Sequence, residues 1–262
     1  MTENKSLVPG RFAGKTCVIT GGASGIGLAT GRRLAAEGAN VVVGDLDEVR
    51  GPAAAQELDG LFVRVNVADE AEVKNLFQQA KDAYGSVDVA FNNAGINPTD
   101  DASILDTGLE AWQRVQTVNL TSVYLCSKYA LEHMVEQRSG SIINTASFVA
   151  LMGAATSQIS YSASKGGVLS MSRELGVQFA KDGIRVNALC PGPVNTPLLQ
   201  ELFASDPVQA QRRLVHVPGG RFAEPEEIAA AVAFLASDDA SFVNATAFTV
   251  DGGISAAYVT PE

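Results

Sequence analysis

The sequence predicts an α/β fold: one parallel sheet, doubly wound, in a single domain. Three observations lead there. Short, almost wholly apolar runs alternate with longer amphipathic ones along the chain, the pattern of strands covered on both faces by crossover helices. A glycine-rich turn joins the first apolar run to the first helical one. The residues with the most evident chemistry follow apolar runs, and open parallel sheets bind their ligands beyond the carboxyl ends of the strands. Right-handed crossovers make the sheet doubly wound. Seven strands in 262 residues fit one such domain.

In chain order, Thr16–Thr20 (TCVIT) is β-rich and stops at glycines, and Gly25–Glu37 has helical spacing with Ile26, Ala29, Leu34 and Ala36 apolar. Val41–Val43 reads as a buried strand ending at Asp45, Glu48–Leu58 as a helix and Leu61–Val65 as a strand. Asp69–Tyr84 is a helix with Val73, Leu76, Phe77 and Ala80 on one face, and Val87–Phe91 is the fourth strand. A long helix over Trp112–Met134, a strand over Ser141–Thr145, a helix over Tyr161–Ala180 and a strand over Arg185–Leu189 follow. Glu224–Leu235 is a helix opened by Pro225 in its first turn, and Ala247–Val250 is the last strand.

Composition narrows the function. A net charge of −10 argues against non-specific nucleic-acid and membrane-surface binding, which need a basic face. It leaves room for a small anionic ligand, because backbone amides bind phosphate without Lys or Arg. Cys17, Cys126 and Cys190 are widely spaced, with no CxxC, so they read as buried small hydrophobes and supply neither a disulfide framework nor a metal site. Reduced thiols fit a cytoplasmic location. Residues Met1 to Gly10 are polar and carry no apolar signal core, and the longest strongly apolar run, Ile228 to Ala236, is too short to span a bilayer.

The turn after the first strand contains Gly21, Ser24, Gly25, Ile26 and Gly27. Its glycines allow a tight turn that brings backbone amides to a pyrophosphate at the helix N-terminus. Asp45 closes the second strand, beside Leu46, and a carboxylate there accepts hydrogen bonds from both hydroxyls of an adenosine ribose. It would repel a 2′-phosphate, and no Arg or Lys follows until Arg50, which favours NAD over NADP. Asn66, followed by Val67, ends the third strand. Its amide either meets the adenine amino group or forms a turn. Asn92, Asn93, Ala94 and Gly95 follow the fourth strand, where small residues let backbone approach the cofactor and the amides tie strand ends together.

The catalytic signal is Tyr-x-x-x-Lys, which puts both side chains on one helix face. A cation there favours the phenolate, and such a tyrosine takes a proton from an alcohol while a hydride leaves the carbon. The motif occurs twice. Tyr124/Lys128 lies in the middle of the long helix with no polar loop before it and reads as structural. Tyr161/Lys165 opens a helix 14 residues after Ser147, a strand-end hydroxyl able to share the substrate oxygen.

These motifs together resemble the short-chain dehydrogenase/reductase family over residues 11–255: TGGASGIG at 20–27, NNAG at 92–95, Asn119 in the long helix, Ser147, Tyr161 to Lys165, and Pro191-Gly192. The resemblance implies a Rossmann-type fold and a nicotinamide cofactor, with Tyr161 as general acid/base and Ser147 orienting the substrate oxygen. By the same resemblance Lys165 holds the nicotinamide ribose and favours the phenolate, and Asn119 holds a water in a proton relay. Pro191, Gly192, Val194 and Thr196 would line the nicotinamide, with Thr196 on its carboxamide. Phe148 and Gln158 would face the substrate with Ser147 and Tyr161. Members commonly form homotetramers that pair through the two long helices and the C-terminal strand region.

Two departures matter. Asn66 stands where Asp is usual, and Ser24 where many NADP-using members carry a basic residue. The segment 196–217, with Leu198, Leu199, Leu202, Phe203 and Leu214 apolar, is expected to be a substrate lid within the single domain 11–255, which an N-terminal extension (1–10) precedes and a C-terminal tail (256–262) follows. His216 is expected in that lid or facing solvent. The stretch PGGRFAEPEEIAAAVAFLAS at 218–237 is most similar to the 3-oxoacyl-acyl-carrier-protein reductases, which usually use NADPH and dock an acidic carrier. Arg138 and Lys181 are possible docking charges, with Asp182 beside one of them. The acidic ribose residue and the negative net charge favour an NAD-dependent secondary-alcohol dehydrogenase acting on a small molecule, with the carrier-protein reductase as runner-up. A catalytically silent nucleotide-binding scaffold is the reading from another class, and the Asn119, Ser147, Tyr161 and Lys165 set argues against it.

Overall fold

Apolar runs of four to eight residues make the seven strands of one sheet: β1 (Thr16–Thr20), β2 (Asn40–Asp45), β3 (Leu61–Arg64), β4 (Val89–Asn92), β5 (Gly140–Thr145), β6 (Ile184–Pro191) and β7 (Ala247–Val250). Their order is β3-β2-β1-β4-β5-β6-β7, with every neighbouring pair parallel. The direction of winding reverses between β1 and β4, which opens a crevice above their carboxyl ends. This computed structural model describes residues 7–197, 199–200 and 214–257. Of the expected lid, Leu198, Leu202 and Phe203 lie outside the described residues, as do residues 1–6 and 258–262 of the two termini.

Seven helices of the described residues cover the sheet: α1 (Gly25–Ala36), α2 (Arg50–Glu57), α3 (Glu70–Tyr84), α4 (Leu109–Gln116), α5 (Ser122–Gln137), α6 (Ile159–Gln178) and α7 (Pro225–Ala236). Side chains alternate along each strand, so Val18 joins a core with Val42, Leu76, Phe77 and Ile142 under α3 and α5. Cys17 and Ile19 point the other way, into a core with Leu34, Val43, Leu189 and Ile228 under α1 and α7. Each fully buried Val, Leu or Ile contributes roughly 1.5–3 kcal/mol. The cysteines are free and buried, one in each core cluster. Helix ends follow local chemistry. Asp69 accepts the Ala71 and Glu72 N–H groups at the start of α3, and Gly85 ends that helix at φ 80°. Glu224 and Glu227 form a capping box around Pro225 at the start of α7.

Two of the differences from the sequence expectation bear on the site. The long helix begins at Leu109, and a π turn over Thr117–Thr121 splits it into α4 and α5. The extra residue brings Asn119 inward, where its carboxamide accepts the Ile96 N–H and donates to the Ile96 carbonyl, both at 2.8 Å. α6 begins at Ile159, ahead of Tyr161, because its first amides find acceptors on the loop after β4.

Candidate active site

The glycine turn and the start of α1 pack closely against each other. Gly21 and Gly25 have φ of 65° and 51°, which suits residues without a Cβ. A Cβ on Gly27 would lie 2.1 Å from the Gly21 carbonyl oxygen, so only glycine lets α1 start that close to the turn. Ser24 makes no side-chain cap, and the first turn carries no acidic residue. The N–H groups there keep their capacity for an anion, and Ile26 lines the adjoining cleft.

Asp45 faces this turn from the end of β2: its Oδ2 accepts the Ala23 N–H at 3.0 Å and its Oδ1 the Asp47 N–H at 3.1 Å. A carboxylate has about four acceptor sites, so two remain for ribose hydroxyls. Leu46 beside it is exposed. Two arginines come near this strand end, and both are engaged. Arg50 pairs with Asp47 at 2.6 Å, and Arg64, the register partner of Asp45 on β3, pairs with Glu48 and Glu72. Asn66 turns its Oδ1 onto its own loop, accepting the Ala68 N–H at 3.1 Å, and Val67 is buried.

The amides after β4 tie strand ends together as the sequence suggested. Asn92 donates to Asn144 Oδ1 at 2.8 Å, and Asn93 Nδ2 donates to the carbonyls of Thr20 and Gly21. Ala94 backbone lies 3.0 Å from where a Gly21 Cβ would be. At the far side, a Cβ on Gly192 would meet the Asp251 backbone at 2.7 Å, so glycine lets the end of β6 pass the end of β7. Pro191 and Val194 are buried, and Thr196 lies against Gly25.

Ser147, Tyr161, Lys165 and Asn119 come together at the carboxyl ends of β4, β5 and β6. Lys165 is 3% exposed, its Nζ donates to the Thr145 carbonyl at 2.6 Å, and it lies 5.6 Å from the centre of the Tyr161 ring. Burial pushes its ammonium down to about 8, from an ordinary 10.5. Ser147 begins the 3₁₀ turn Phe148–Ala150, with its Oγ near the Val149 N–H. A Cβ on Gly95 would sit 3.2 Å from Asn119 Oδ1 and 3.6 Å from Lys165 Nζ, so glycine keeps the floor between these polar ends open. The buried Thr145 Oγ1 has no hydrogen-bond partner among the described residues. These features fit a polar cofactor segment such as a ribose. The second Tyr-x-x-x-Lys is arranged otherwise: Tyr124 is half exposed, and Lys128 pairs with Glu70 at 2.8 Å and lies over the Tyr129 ring.

Above this group lies a cleft of about 490 Å³, lined on its apolar side by Phe148, Val149, Met152, Leu199 and Ile254, and on its polar side by Asn97, Ser147, Thr156, Gln158, Tyr161 and His216. Asn97 and Thr156 carry no motif and were not legible in the sequence. Asn97 is held by its Nδ2 on Gln158 Oε1 at 3.2 Å. A second cavity of about 480 Å³ lies at the amino ends of the strands. Its cations are already engaged: Arg11 by Glu37, Lys15 by Asp88, and Arg185 by the Leu235 and Ser237 carbonyls. Among the described residues no cluster of His, Cys, Asp or Glu could hold a metal ion, and no helix is long and apolar enough to cross a membrane.

Comparison with known proteins agrees with this geometry. Residues 21–255 match a family model described as Enoyl-(Acyl carrier protein) reductase. The chain is 45% identical over 249 residues to the cis-4-hydroxycyclohexanecarboxylate dehydrogenase of Sinomonas cyclohexanicum, covering 94% of this chain and 98% of that one. It is 39% identical over 250 residues to a 3-oxoacyl-(acyl-carrier-protein) reductase of Thermotoga maritima, covering 93% and 99%. The crystal structure of levodione reductase superposes with a TM-score of 0.89 at 37% identity, covering 94% of this chain and 100% of that one. The chain therefore belongs to the short-chain dehydrogenase/reductase family, whose members use nicotinamide cofactors, and is an oxidoreductase acting on CH–OH donors.

Proposed function

We propose that the chain is an NAD(H)-dependent enzyme interconverting a small secondary alcohol and its ketone, with Tyr161 as general acid/base. The observation that carries this reading is the buried Lys165 ammonium against the ring of Tyr161, which with Ser147 lines the cleft. A cation so placed, in a medium of low dielectric, favours a phenolate. Tyr161 Oη then takes the hydroxyl proton in oxidation and returns it in reduction. Ser147 Oγ donates to the substrate oxygen and fixes its distance from Tyr161. Asn119 supports the floor beside Lys165, where a water passes the proton on. When bound, the nicotinamide supplies the hydride acceptor or donor. Gly21, Ser24, Gly25, Ile26 and Gly27 would hold its pyrophosphate, Asp45 and Leu46 its adenosine ribose, and Asn66 and Val67 its adenine. Asn93, Ala94, Gly95, Lys165, Pro191, Gly192, Val194 and Thr196 would hold the nicotinamide end. Phe148 and Gln158 would contact the substrate.

NAD is favoured over NADP because Asp45 repels a 2′-phosphate and the nearby Arg50 and Arg64 are engaged by carboxylates. The carrier-protein reductase is the second reading, favoured by the 39% identity to the Thermotoga maritima enzyme. Against it, Arg138 is occupied by Asp182 at 2.8 Å and by the Lys181 carbonyl, which removes much of the docking charge. The free, buried thiols support a cytoplasmic setting. A homotetramer is supported by exposed Tyr124 and Val135 on α5, Val177 on α6, and a fully exposed Phe242 before β7. Light scattering at micromolar concentration is expected to give four times the chain mass, and a monomer would contradict the assembly.

Cofactor preference is read as kcat/KM with NAD and with NADP across a panel of secondary alcohols and ketones. NAD is expected to lead, and Asp45→Ala to narrow the gap by removing both the ribose contact and the repulsion. A wild-type enzyme that prefers NADPH would overturn this part. Tyr161→Phe is expected to lower kcat by at least about 10²–10⁴-fold, the worth of general acid/base catalysis. Tyr124→Phe should stay within about threefold, as the same local motif in the wrong place. Near-normal kcat in Tyr161→Phe would overturn the proton-transfer role. Lys165 makes a separate prediction about stability. Its folded-state value lies below its unfolded one, so the native state binds fewer protons between about pH 8 and 10.5 and stability rises with pH there. Below pH 8 the whole cost of the buried charge is present, about 3 kcal/mol at roughly 1.4 kcal/mol per pH unit. Lys165→Met removes that cost and forfeits one hydrogen bond of about 1 kcal/mol. In urea denaturation without cofactor the variant should therefore be inactive yet more stable at pH 7, with the gain shrinking toward pH 10. A variant less stable than wild type at pH 7 would contradict this.

A further inference from the structure

The helix that carries Tyr161 does not cap itself. Gln158, at its N-cap, makes no side-chain bond to the first turn, and the opening N–H groups of a helix have no intrahelical acceptor. Their acceptors come from the loop after β4. Ile159 N–H donates to the Ala102 carbonyl at 3.2 Å, Ser160 N–H to Asp101 Oδ1 at 2.9 Å, and Tyr161 N–H to Asp101 Oδ2 at 2.8 Å. One carboxylate thus grips two consecutive amides, one of them belonging to Tyr161. Asp101 is 6% exposed and has no ion-pair partner among the described residues, so the helix amides and the positive end of the helix dipole compensate its charge.

A local Ser or Asn at position 158 would cap the helix as well, for about 1 kcal/mol. Bringing the acceptor from a loop 60 residues upstream does something a local cap does not: it joins the helix to that loop. The loop is itself fixed at several points. Ile96 exchanges two hydrogen bonds with Asn119 of the π turn, and Asn97 holds Gln158. One turn further along α6, Lys165 is anchored to the Thr145 carbonyl. With Lys165 at one side and Asp101 at the other, neither the height nor the rotation of the first turn is free.

We propose that Asp101 is a positioning residue for the reaction: through the Ser160 and Tyr161 amides it sets where the Tyr161 hydroxyl stands in the cleft. The proposal rests on the role given to Tyr161 above. A rotation of roughly 10° about the helix axis moves a tyrosine hydroxyl by about 1 Å, and a misplacement of that size costs about 10²-fold in rate.

The test compares Asp101→Ala, Asp101→Asn and, as a control on the same loop, Asp100→Asn, alone and in the Tyr161→Phe background. Readouts are kcat, KM for the alcohol, NADH affinity by fluorescence, and thermal stability. Asp101→Ala is expected to lower kcat by about 10–100-fold while KM and NADH affinity stay within about threefold. Asp101→Asn keeps one acceptor oxygen and should recover about threefold of that loss, and Asp100→Asn should leave kcat within about twofold. In the Tyr161→Phe background Asp101→Ala should cost nothing further. If Asp101→Ala does not fold, Asp101→Asn decides alone, with a fall in kcat of at least about threefold at unchanged NADH affinity. An unchanged kcat, a parallel fall in NADH affinity, or an equal further loss in the Tyr161→Phe background would overturn the proposal. Failure of the underlying reading looks different: Tyr161→Phe would itself keep the wild-type kcat.

Discussion

The ammonium of Lys165 is held almost out of water, and the architecture at the carboxyl ends of the strands is arranged around that charge. A buried cation is costly unless acceptors face it. One is fixed by the sheet, the carbonyl of Thr145 at the end of β5. The rest of its surroundings must stay open and polar, which is why a glycine stands at 95 and why Asn119 is drawn inward by the π turn. A side chain at 95 would crowd the Asn119 carboxamide, and a continuous α-helix through 117–121 would carry Asn119 away from Ile96.

The same end of the sheet is where a doubly wound topology leaves its crevice, between β1 and β4. The glycine turn after β1, Asp45 after β2 and the amides after β4 lie along one edge of that crevice, and Ser147 and Tyr161 along the other. In the proposed reading, the cofactor groove and the substrate cleft meet where Lys165 is buried. Stability and chemistry are opposed at this point: the charge that weakens the folded state is the one that suits a neighbouring phenolate.

Much of this was legible in the sequence, for reasons that particular residues make plain. β1 and β7 begin and end where their β-rich runs do, and β1, buried along its whole length, has no other signature. The glycine turn, Asp45 and the amides at 92–95 are local motifs whose meaning depends only on following a strand. The two Tyr-x-x-x-Lys motifs are identical as patterns, and the strand-end Ser147 upstream separated them. What escaped the sequence is what depends on distant pieces of chain. The π turn answers to Ile96, 23 residues away. The start of α6 answers to Asp101, and Asn97 reaches the cleft only through a loop without motif. Arg64 comes beside Asp45 by strand register, and whether it is engaged turns on Glu48 and Glu72. The partner of Lys165 is a backbone carbonyl, which no residue type encodes.

The central claim is that Lys165 is a buried cation whose charge is poised near neutrality by desolvation. A pH titration of lysine side chains by NMR, following the carbon next to the ammonium and assigning the Lys165 signal by its absence in Lys165→Met, reads this directly in the protein without cofactor. The account predicts one lysine titrating at about 8, apart from the others. A Lys165 signal titrating at the ordinary 10.5, with the solvent-exposed lysines, would contradict it.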